Sequence, residues 1–244
     1  MTRETTPEAT ETTIGFIGAG NIGGTVARLA VDAGLDVVLS NSRGPETLAD
    51  LAADLGEHAR AGTTAEAAAA DVVVLTVPLN ALDDVVAAVP EGTLDGTVVL
   101  DTLNYYPERD GRVTALEEES TTTSEMVAEA FPTAHVVKAF NNIFFGHLGA
   151  LARPSGSPER SVLAIAGDDE DAKRAATEVL DRLGYDALDA GPLAEGWRFQ
   201  RDTAAYGLPY DGSADGRWQA ATARPVPASA MQDALDQARR YRDM

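Results

Sequence analysis

The chain has 244 residues, no cysteine, and a formal net charge of −20 from 39 acidic and 19 basic side chains. This charge argues against nucleic acid or an anionic membrane as a partner, and without thiols there are neither disulfides nor cysteine-bound metals. Hydrophobic residues make up 44% of the chain, enough for one good core, and no apolar run is long enough to span a bilayer.

The composition also predicts where the protein works. No charged-then-apolar targeting segment opens the chain, so we expect a cytoplasmic protein. The three histidines are scattered, and we expect no metal site. Only two bases are lysines, Lys138 and Lys173. This acidic, lysine-poor composition resembles proteins adapted to a salt-rich cytoplasm, where self-repulsion is screened.

A glycine-rich turn near the amino terminus organises the first half of the chain. Gly18, Gly20 and Gly23 have the spacing G-x-G-x-x-G, after an apolar strand (Ile14–Ile17) and at the start of an amphipathic helix. A second strand, Val37–Leu39, follows at the distance of a βαβ unit. The three glycines would allow a tight turn, a close backbone approach to a pyrophosphate, and helix–strand packing. This arrangement predicts a dinucleotide site at the helix N-terminus.

The end of the second strand indicates which dinucleotide binds. An NAD site places Asp or Glu there to bind the ribose 2′-hydroxyl, but Asp36 lies at the beginning of this strand. The strand is followed instead by Asn41, Ser42 and Arg43. Hydroxyls and a guanidinium suit a 2′-phosphate, so we predict NADP(H) rather than NAD(H). The alternative is that Arg43 is only a solvated loop charge.

The pattern of apolar runs predicts an α/β fold, a Rossmann-type doubly wound parallel sheet with a smaller C-terminal α/β portion. We expect a disordered tail at 1–11, an NADP-binding domain at 12–151, a linker at 152–159, and a smaller C-terminal portion at 160–244. Six further strands are predicted at 59–61, 71–78, 97–100, 135–140, 161–166 and 185–190. Helices are predicted from Pro45 to before Gly56 and at 65–70, 82–89, 124–130, 170–183 and 228–241.

Few side chains in the sequence suit acid–base or nucleophilic catalysis, and we assign no catalytic residue. Lys138, near the end of a strand, could donate a proton to a carbonyl or imine. Alternatively, it could form a salt bridge or support a cofactor phosphate. Within the aromatic-rich stretch from Gly191 to Trp218, the run Trp197–Tyr210 could close over a second substrate, or pack in the core or a dimer interface.

Seven collinear stretches resemble the NADP oxidoreductases that depend on the deazaflavin coenzyme F420. The similarity covers about residues 13–193, and its stretches are 18–23, 41–43, 74–78, 124–130, 136–143, 167–173 and 188–193. The stretch Val136–Asn141 is also similar to the cytosolic nicotinamide domain of membrane metalloreductases. Two features differ from the archaeal deazaflavin enzymes, which carry His at the position of Asn141 and have a shorter ending than the tail after Glu195.

The resemblance implies a homodimer and hydride transfer between NADP(H) and coenzyme F420 or a flavin. It implies that the adenine-nucleotide half is held by Gly20, Asn21, Ile22, Ser42 and Arg43. It also implies that Val77 and Pro78 hold the nicotinamide against the deazaflavin, and that Ala139 and Asn141 form the opposite wall. The predicted cofactor-binding residues are Gly18, Ala19, Gly20, Asn21, Ile22, Gly23, Ser42, Arg43, Val77, Pro78, Ala139 and Asn141.

Two other function classes stay open from the sequence. One is an NADP-dependent dehydrogenase or reductase of a small carbonyl or imine substrate, because such enzymes share the glycine motif. The other is a non-enzymatic NADP-binding redox sensor, because a fold alone does not fix an activity.

Overall fold

Eight strands form one sheet in a computed structural model that describes residues 12–213 and 216–240. The predicted tail at 1–11 lies outside the described residues. The sheet order is β3-β2-β1-β4-β5-β6-β7-β8. The strands are β1 (Thr13–Ile17), β2 (Asp36–Ser40), β3 (Ala59–Ala61), β4 (Val72–Leu75), β5 (Val98–Asp101), β6 (His135–Lys138), β7 (Val162–Gly167) and β8 (Asp186–Asp189).

The first six strands are parallel and have the 3-2-1-4-5-6 order of a Rossmann fold. The α/β, doubly wound fold predicted from the sequence is therefore confirmed. One junction differs from an all-parallel sheet, because β7 pairs with β6 in the antiparallel direction. β8 then pairs with β7 in parallel. Residues 152–161 contain no helix or strand, and a separate C-terminal domain beyond them stays a prediction.

Helices cover both faces of the sheet. They are α1 (Asn21–Asp32), α2 (Ala49–Leu55), α3 (Thr64–Ala68), α4 (Leu82–Ala88), α5 (Pro107–Asp110), α6 (Thr114–Glu117), α7 (Thr123–Ala130), α8 (Phe145–Leu151), α9 (Glu170–Arg182) and α10 (Ala228–Asp236). No helix of the described residues is long and apolar enough to cross a membrane.

The buried strands explain why their sequences read as continuous apolar runs. All four residues of β4 are buried. Val72 and Val74 point into one core and Val73 and Leu75 into another, on opposite faces of the sheet. Because helices cover both faces, neither set of side chains can be polar.

The main differences from the sequence prediction concern four helices, and two of them, α5 and α6, are short helices of four residues each that were not predicted. Helix α8, Phe145–Leu151, was not predicted; it lacks a side-chain cap at its start, so it has no capping signal. Helix α10 ends at Asp236 rather than Tyr241. At that end, the Arg198 guanidinium donates to the Leu235 carbonyl (3.2 Å) and to the Asp236 carboxylate (2.9 Å). The first of these bonds gives a further donor to one of the last carbonyls of the helix.

Candidate functional site

A cleft of about 790 Å³ opens at the carboxyl ends of β1, β2 and β4. This position lies at the switch point of the sheet, where the chain order reverses between β1 and β4. Its wall consists of Ile17, Gly18, Ala19, Gly20, Asn41, Ser42, Arg43, Gly44, Pro45, Thr63, Thr64, Ala65, Thr76, Val77, Pro78, Ala81, Asp84, Val85 and Ala88.

A side chain would have a different effect at each of the three glycines of the motif. Gly18 has φ +103°, and a Cβ there would lie 2.2 Å from the Thr76 carbonyl oxygen. A Cβ on Gly23 would lie 2.3 Å from the Gly18 carbonyl oxygen. Gly20 has no atom within 4 Å of such a Cβ. The fold therefore requires Gly18 and Gly23, whereas at Gly20 the missing side chain leaves room for a ligand.

Gly20 is also the N-cap of α1, and no side chain caps this helix. The first turn carries no acidic residue. The backbone N–H groups at this end therefore have no competing carboxylate, which suits an anion such as a pyrophosphate.

The loop after β2 carries the positive charge of the cleft. The Asn41 carboxamide oxygen accepts a hydrogen bond from the Arg43 backbone N–H at 2.9 Å, and its nitrogen donates to the Thr47 hydroxyl. These bonds hold the turn that carries Ser42 and Arg43. Neither of those two side chains has a hydrogen-bond or ion-pair partner within the described residues. The loop thus presents a hydroxyl and a guanidinium to the cleft.

The structure brings together most of the residues predicted for the cofactor, but not all. Seven line the cleft: Gly18, Ala19, Gly20, Ser42, Arg43, Val77 and Pro78. Asn21 and Ile22 lie in the first turn of α1 outside the lining, and Gly23 is buried beneath it. Ala139 and Asn141 are 0% and 4% exposed and do not line this cleft.

The C-terminal segment covers the end of β6, which explains why Ala139 and Asn141 are buried. The Asn141 side-chain amide donates to the Phe199 carbonyl at 3.0 Å, and that of Asn142 donates to the Ala205 carbonyl at 3.1 Å. The Gly207 N–H donates to the Asn142 carbonyl at 2.8 Å. Part of the aromatic-rich stretch therefore packs in the core of this chain.

Two tyrosine hydroxyls join the same segment to the loop after β5. The hydroxyls of Tyr106 and Tyr206 lie 2.6 Å apart. The Tyr106 ring lies beneath the guanidiniums of Arg109 and Arg201, 4.7 and 5.0 Å from its centroid. Burial, together with the Tyr106 hydrogen bond, raises the pKa of Tyr206. Tyr206 is therefore a poor proton donor near neutral pH.

Lys138 is enclosed rather than directed into the cleft. Its side chain is 1% exposed. Its ammonium donates to the Leu103 carbonyl and to the hydroxyls of Thr123 and Ser124 at 2.9, 3.0 and 3.2 Å. The buried Asp101 carboxylate lies 3.6 Å away. Burial lowers the pKa of Lys138, and the Asp101 charge opposes that shift. Of the roles considered from the sequence, proton donor, salt-bridge partner or support of a cofactor phosphate, the structure shows the salt bridge to Asp101.

Two parts of the cleft wall were not predicted from the sequence. One is the start of α3, where Thr63 accepts from the Glu66 N–H in a capping box. The other is the face formed by Ala81, the N-cap of α4, and by Asp84, Val85 and Ala88 of that helix. Their i, i+3, i+4, i+7 spacing after the Pro78 strand end could have indicated a helix face beside the site.

Residues 13–105 match a family model described as NADP oxidoreductase, coenzyme F420-dependent. A crystal structure of a hypothetical protein from Sinorhizobium meliloti is 33% identical and covers 78% of this chain and 91% of that chain, with a TM-score of 0.68. The chain is therefore similar to the coenzyme F420-dependent NADP oxidoreductases over residues 13–105. The family resemblance and the NADP-dependent oxidoreductase class predicted from the sequence are thereby confirmed.

Two other proteins have similar sequences or structures. A crystal structure from an Arthrobacter species, described as a candidate F420-dependent NADP reductase, is 23% identical over 77% of this chain and 87% of that chain, with a TM-score of 0.63. At this identity it shows the shared fold alone. Rat metalloreductase STEAP3 is 29% identical over 181 residues, which are 74% of this chain. The chain spans only about a third (34%) of the length of that metalloreductase.

Proposed function

We propose that this protein transfers hydride between NADP(H) and coenzyme F420 or a flavin. In this proposal Gly18, Ala19 and Gly20 hold the pyrophosphate with the first turn of α1, formed by Asn21, Ile22 and Gly23. Ser42 and Arg43 hold the 2′-phosphate. Val77 and Pro78 lie against the nicotinamide, and Ala139 and Asn141 support its far wall from within the core.

The cleft supports this cofactor on physical grounds. Gly20 leaves space at an uncapped helix end, and the Arg43 guanidinium has no protein partner among the described residues. In a chain with a net charge of −20, an unpaired cation on the cleft wall suits an anionic ligand. Bound NADPH would supply the hydride, while the protein supplies orientation and a water-poor surface.

The observation that favours a deazaflavin or flavin is the scarcity of proton donors in the cleft. Among its lining side chains, only Arg43 and Asp84 are charged. Arg43 is a cation, and Asp84, on α4, is the one carboxylate among the described lining residues. Lys138 and Tyr206, the other candidates, do not line the cleft. Reduction of a carbonyl or imine usually needs a placed proton donor, whereas an isoalloxazine-like ring carries its own proton-accepting nitrogen.

A spectrophotometric comparison tests the proposal. The full chain in molar KCl is given NADPH with purified coenzyme F420, with FMN or FAD, or with a panel of carbonyl and imine compounds. Faster NADPH oxidation with the deazaflavin or flavin supports the proposal. Turnover only with carbonyls or imines favours the reductase alternative, and binding of NADPH without any turnover favours a redox sensor.

Assembly and location belong to the same proposal. We expect a cytoplasmic homodimer adapted to high salt, as the family resemblance and the acidic composition suggest. Sedimentation of the purified chain in molar KCl measures the assembly, and a monomer across micromolar concentrations would contradict it.

A further inference from the structure

One wall of the cleft is a helix face with a mixed character. Ala81, Val85 and Ala88 give it small apolar side chains, and Asp84 places a carboxylate among them. Residues spaced three and four apart share one face of a helix, so the Asp84 carboxylate lies on the same face as these apolar side chains. A flat ring fits on this apolar face, and a polar edge of that ring would meet the carboxylate.

The charge of Asp84 restricts what can lie next to it. Asp84 and Arg43 are the charged side chains of the cleft lining, and the described residues offer Asp84 no ion-pair partner. A carboxylate repels the phosphates of a dinucleotide, so these must lie nearer to Arg43 and the glycine turn. With the nicotinamide proposed at Val77 and Pro78, the flat ring of the dinucleotide that is left for this apolar wall is the adenine base. The exocyclic amine of adenine is the hydrogen-bond donor on that base, and a carboxylate is an acceptor.

We infer that Asp84 accepts a hydrogen bond from the exocyclic amine of the adenine ring and selects adenine over hypoxanthine in the cofactor. The inference rests on the proposed NADP(H) function and adds a base-reading residue to it. Hypoxanthine carries a carbonyl oxygen in place of the amine, and this oxygen would face the carboxylate as a second acceptor. The preference for adenine therefore combines a hydrogen bond from its amine with repulsion between the hypoxanthine oxygen and the carboxylate.

The test compares NADPH with reduced nicotinamide hypoxanthine dinucleotide phosphate. Both carry the same fluorescent nicotinamide, so titration of the full-length protein at constant KCl yields a dissociation constant for each. The variants are Asp84→Asn and the matched control Asp83→Asn. Asp83 is an exposed neighbour on α4 that does not line the cleft, so both variants remove one negative charge from the same helix.

The ratio of the two dissociation constants decides the inference. We expect the wild type and Asp83→Asn to bind NADPH about tenfold more tightly than the hypoxanthine form, the size of one hydrogen bond to a charged group. Asp84→Asn should lose or reverse the preference, because an amide can donate to the hypoxanthine oxygen. Equal binding of both cofactors by the wild type, or an unchanged ratio in Asp84→Asn, overturns the inference but leaves the proposed function intact. Failure of the wild type to bind NADPH at all overturns both.

Discussion

Arg43 and Asp84 line the same cleft, yet no ion pair joins them. In a chain with twice as many acids as bases, 39 against 19, a guanidinium with neither a carboxylate nor a carbonyl partner is uncommon. Most other arginines of the described residues bind a nearby acid or a backbone carbonyl. This separation of charge gives the cleft a cationic part at the loop after β2 and an acidic side chain on α4.

The glycine motif yields a prediction that separates folding from binding. Gly20→Ala should leave the thermal midpoint nearly unchanged, because nothing lies within 4 Å of the new Cβ. It should weaken NADPH binding at least tenfold, because the methyl group occupies the space expected for the pyrophosphate. Differential scanning fluorimetry and NADPH titration measure the two effects.

Two further glycines provide controls for that experiment. Gly18→Ala should unfold or strongly destabilise the protein, since it forces a Cβ against the Thr76 carbonyl at φ +103°. Gly24→Ala lies on α1 with no neighbour within 4 Å and should stabilise the helix by up to about 1 kcal/mol while binding NADPH normally. Normal binding by Gly20→Ala would contradict the assigned role.

Lys138 should prove structural rather than catalytic. Lys138→Met leaves the buried Asp101 carboxylate without its cation, which typically costs about 3–5 kcal/mol. Adding Asp101→Asn should recover part of that loss, because the remaining charge is removed. Urea unfolding measures the stabilities. A Lys138→Met protein that keeps its stability but loses turnover only with carbonyl substrates would instead establish a proton donor.

The lowered pKa of Lys138 predicts how the stability difference between the wild type and Lys138→Met depends on pH. The folded chain binds this proton less tightly than the unfolded chain, whose lysine pKa is about 10.4. The stability contributed by wild-type Lys138 therefore increases as pH rises through the folded pKa and levels off above about 10.4. The stability of the wild type minus that of Lys138→Met should increase from pH 7 to the alkaline end. A constant difference would mean that the pKa is not lowered.

The net charge of −20 predicts stabilisation by salt. Like charges repel in dilute buffer, whereas at 1 M salt the Debye length is only about 3 Å. The thermal midpoint should rise by several degrees between dilute buffer and 2 M KCl. Sucrose at matched osmolality, which does not screen charge, should have a smaller effect. An equal rise in both solutions would exclude charge screening as the cause.

The sequence predicted the parts of the fold whose signal is local. The apolar run at 72–75 and the glycine spacing at 18–23 each have one physical explanation, a strand buried on both faces and a tight turn that leads into α1. The antiparallel pairing of β7 with β6 could not be predicted, because it depends on contacts between Val137 and Gly167 that are distant in sequence. Helix α8 was missed for lack of a capping side chain.

The site residues predicted from the sequence are likewise those that lie close together along the chain. Gly18, Gly20 and Arg43 belong to one contiguous βαβ unit, so spacing alone brings them together. Asp84 reaches the cleft from another unit, and its position depends on how α4 packs beside β4. The burial of Asn141 depends on a hydrogen bond to Phe199, 58 residues away. Such long-range partners leave no periodic trace in the sequence.

The central claim is that a ribose 2′-phosphate binds beside Ser42 and Arg43, and it can be measured without any hydride acceptor. Calorimetric titration compares 2′,5′-ADP with 5′-AMP on the wild type, on Arg43→Ala, and on Arg182→Ala, which removes an exposed arginine of α9 outside the cleft. The titrations use the lowest KCl concentration at which the protein stays folded. We predict that the wild type and Arg182→Ala bind 2′,5′-ADP at least about tenfold more tightly than 5′-AMP, and that Arg43→Ala loses most of this preference. Equal binding of the two nucleotides by the wild type would contradict the account.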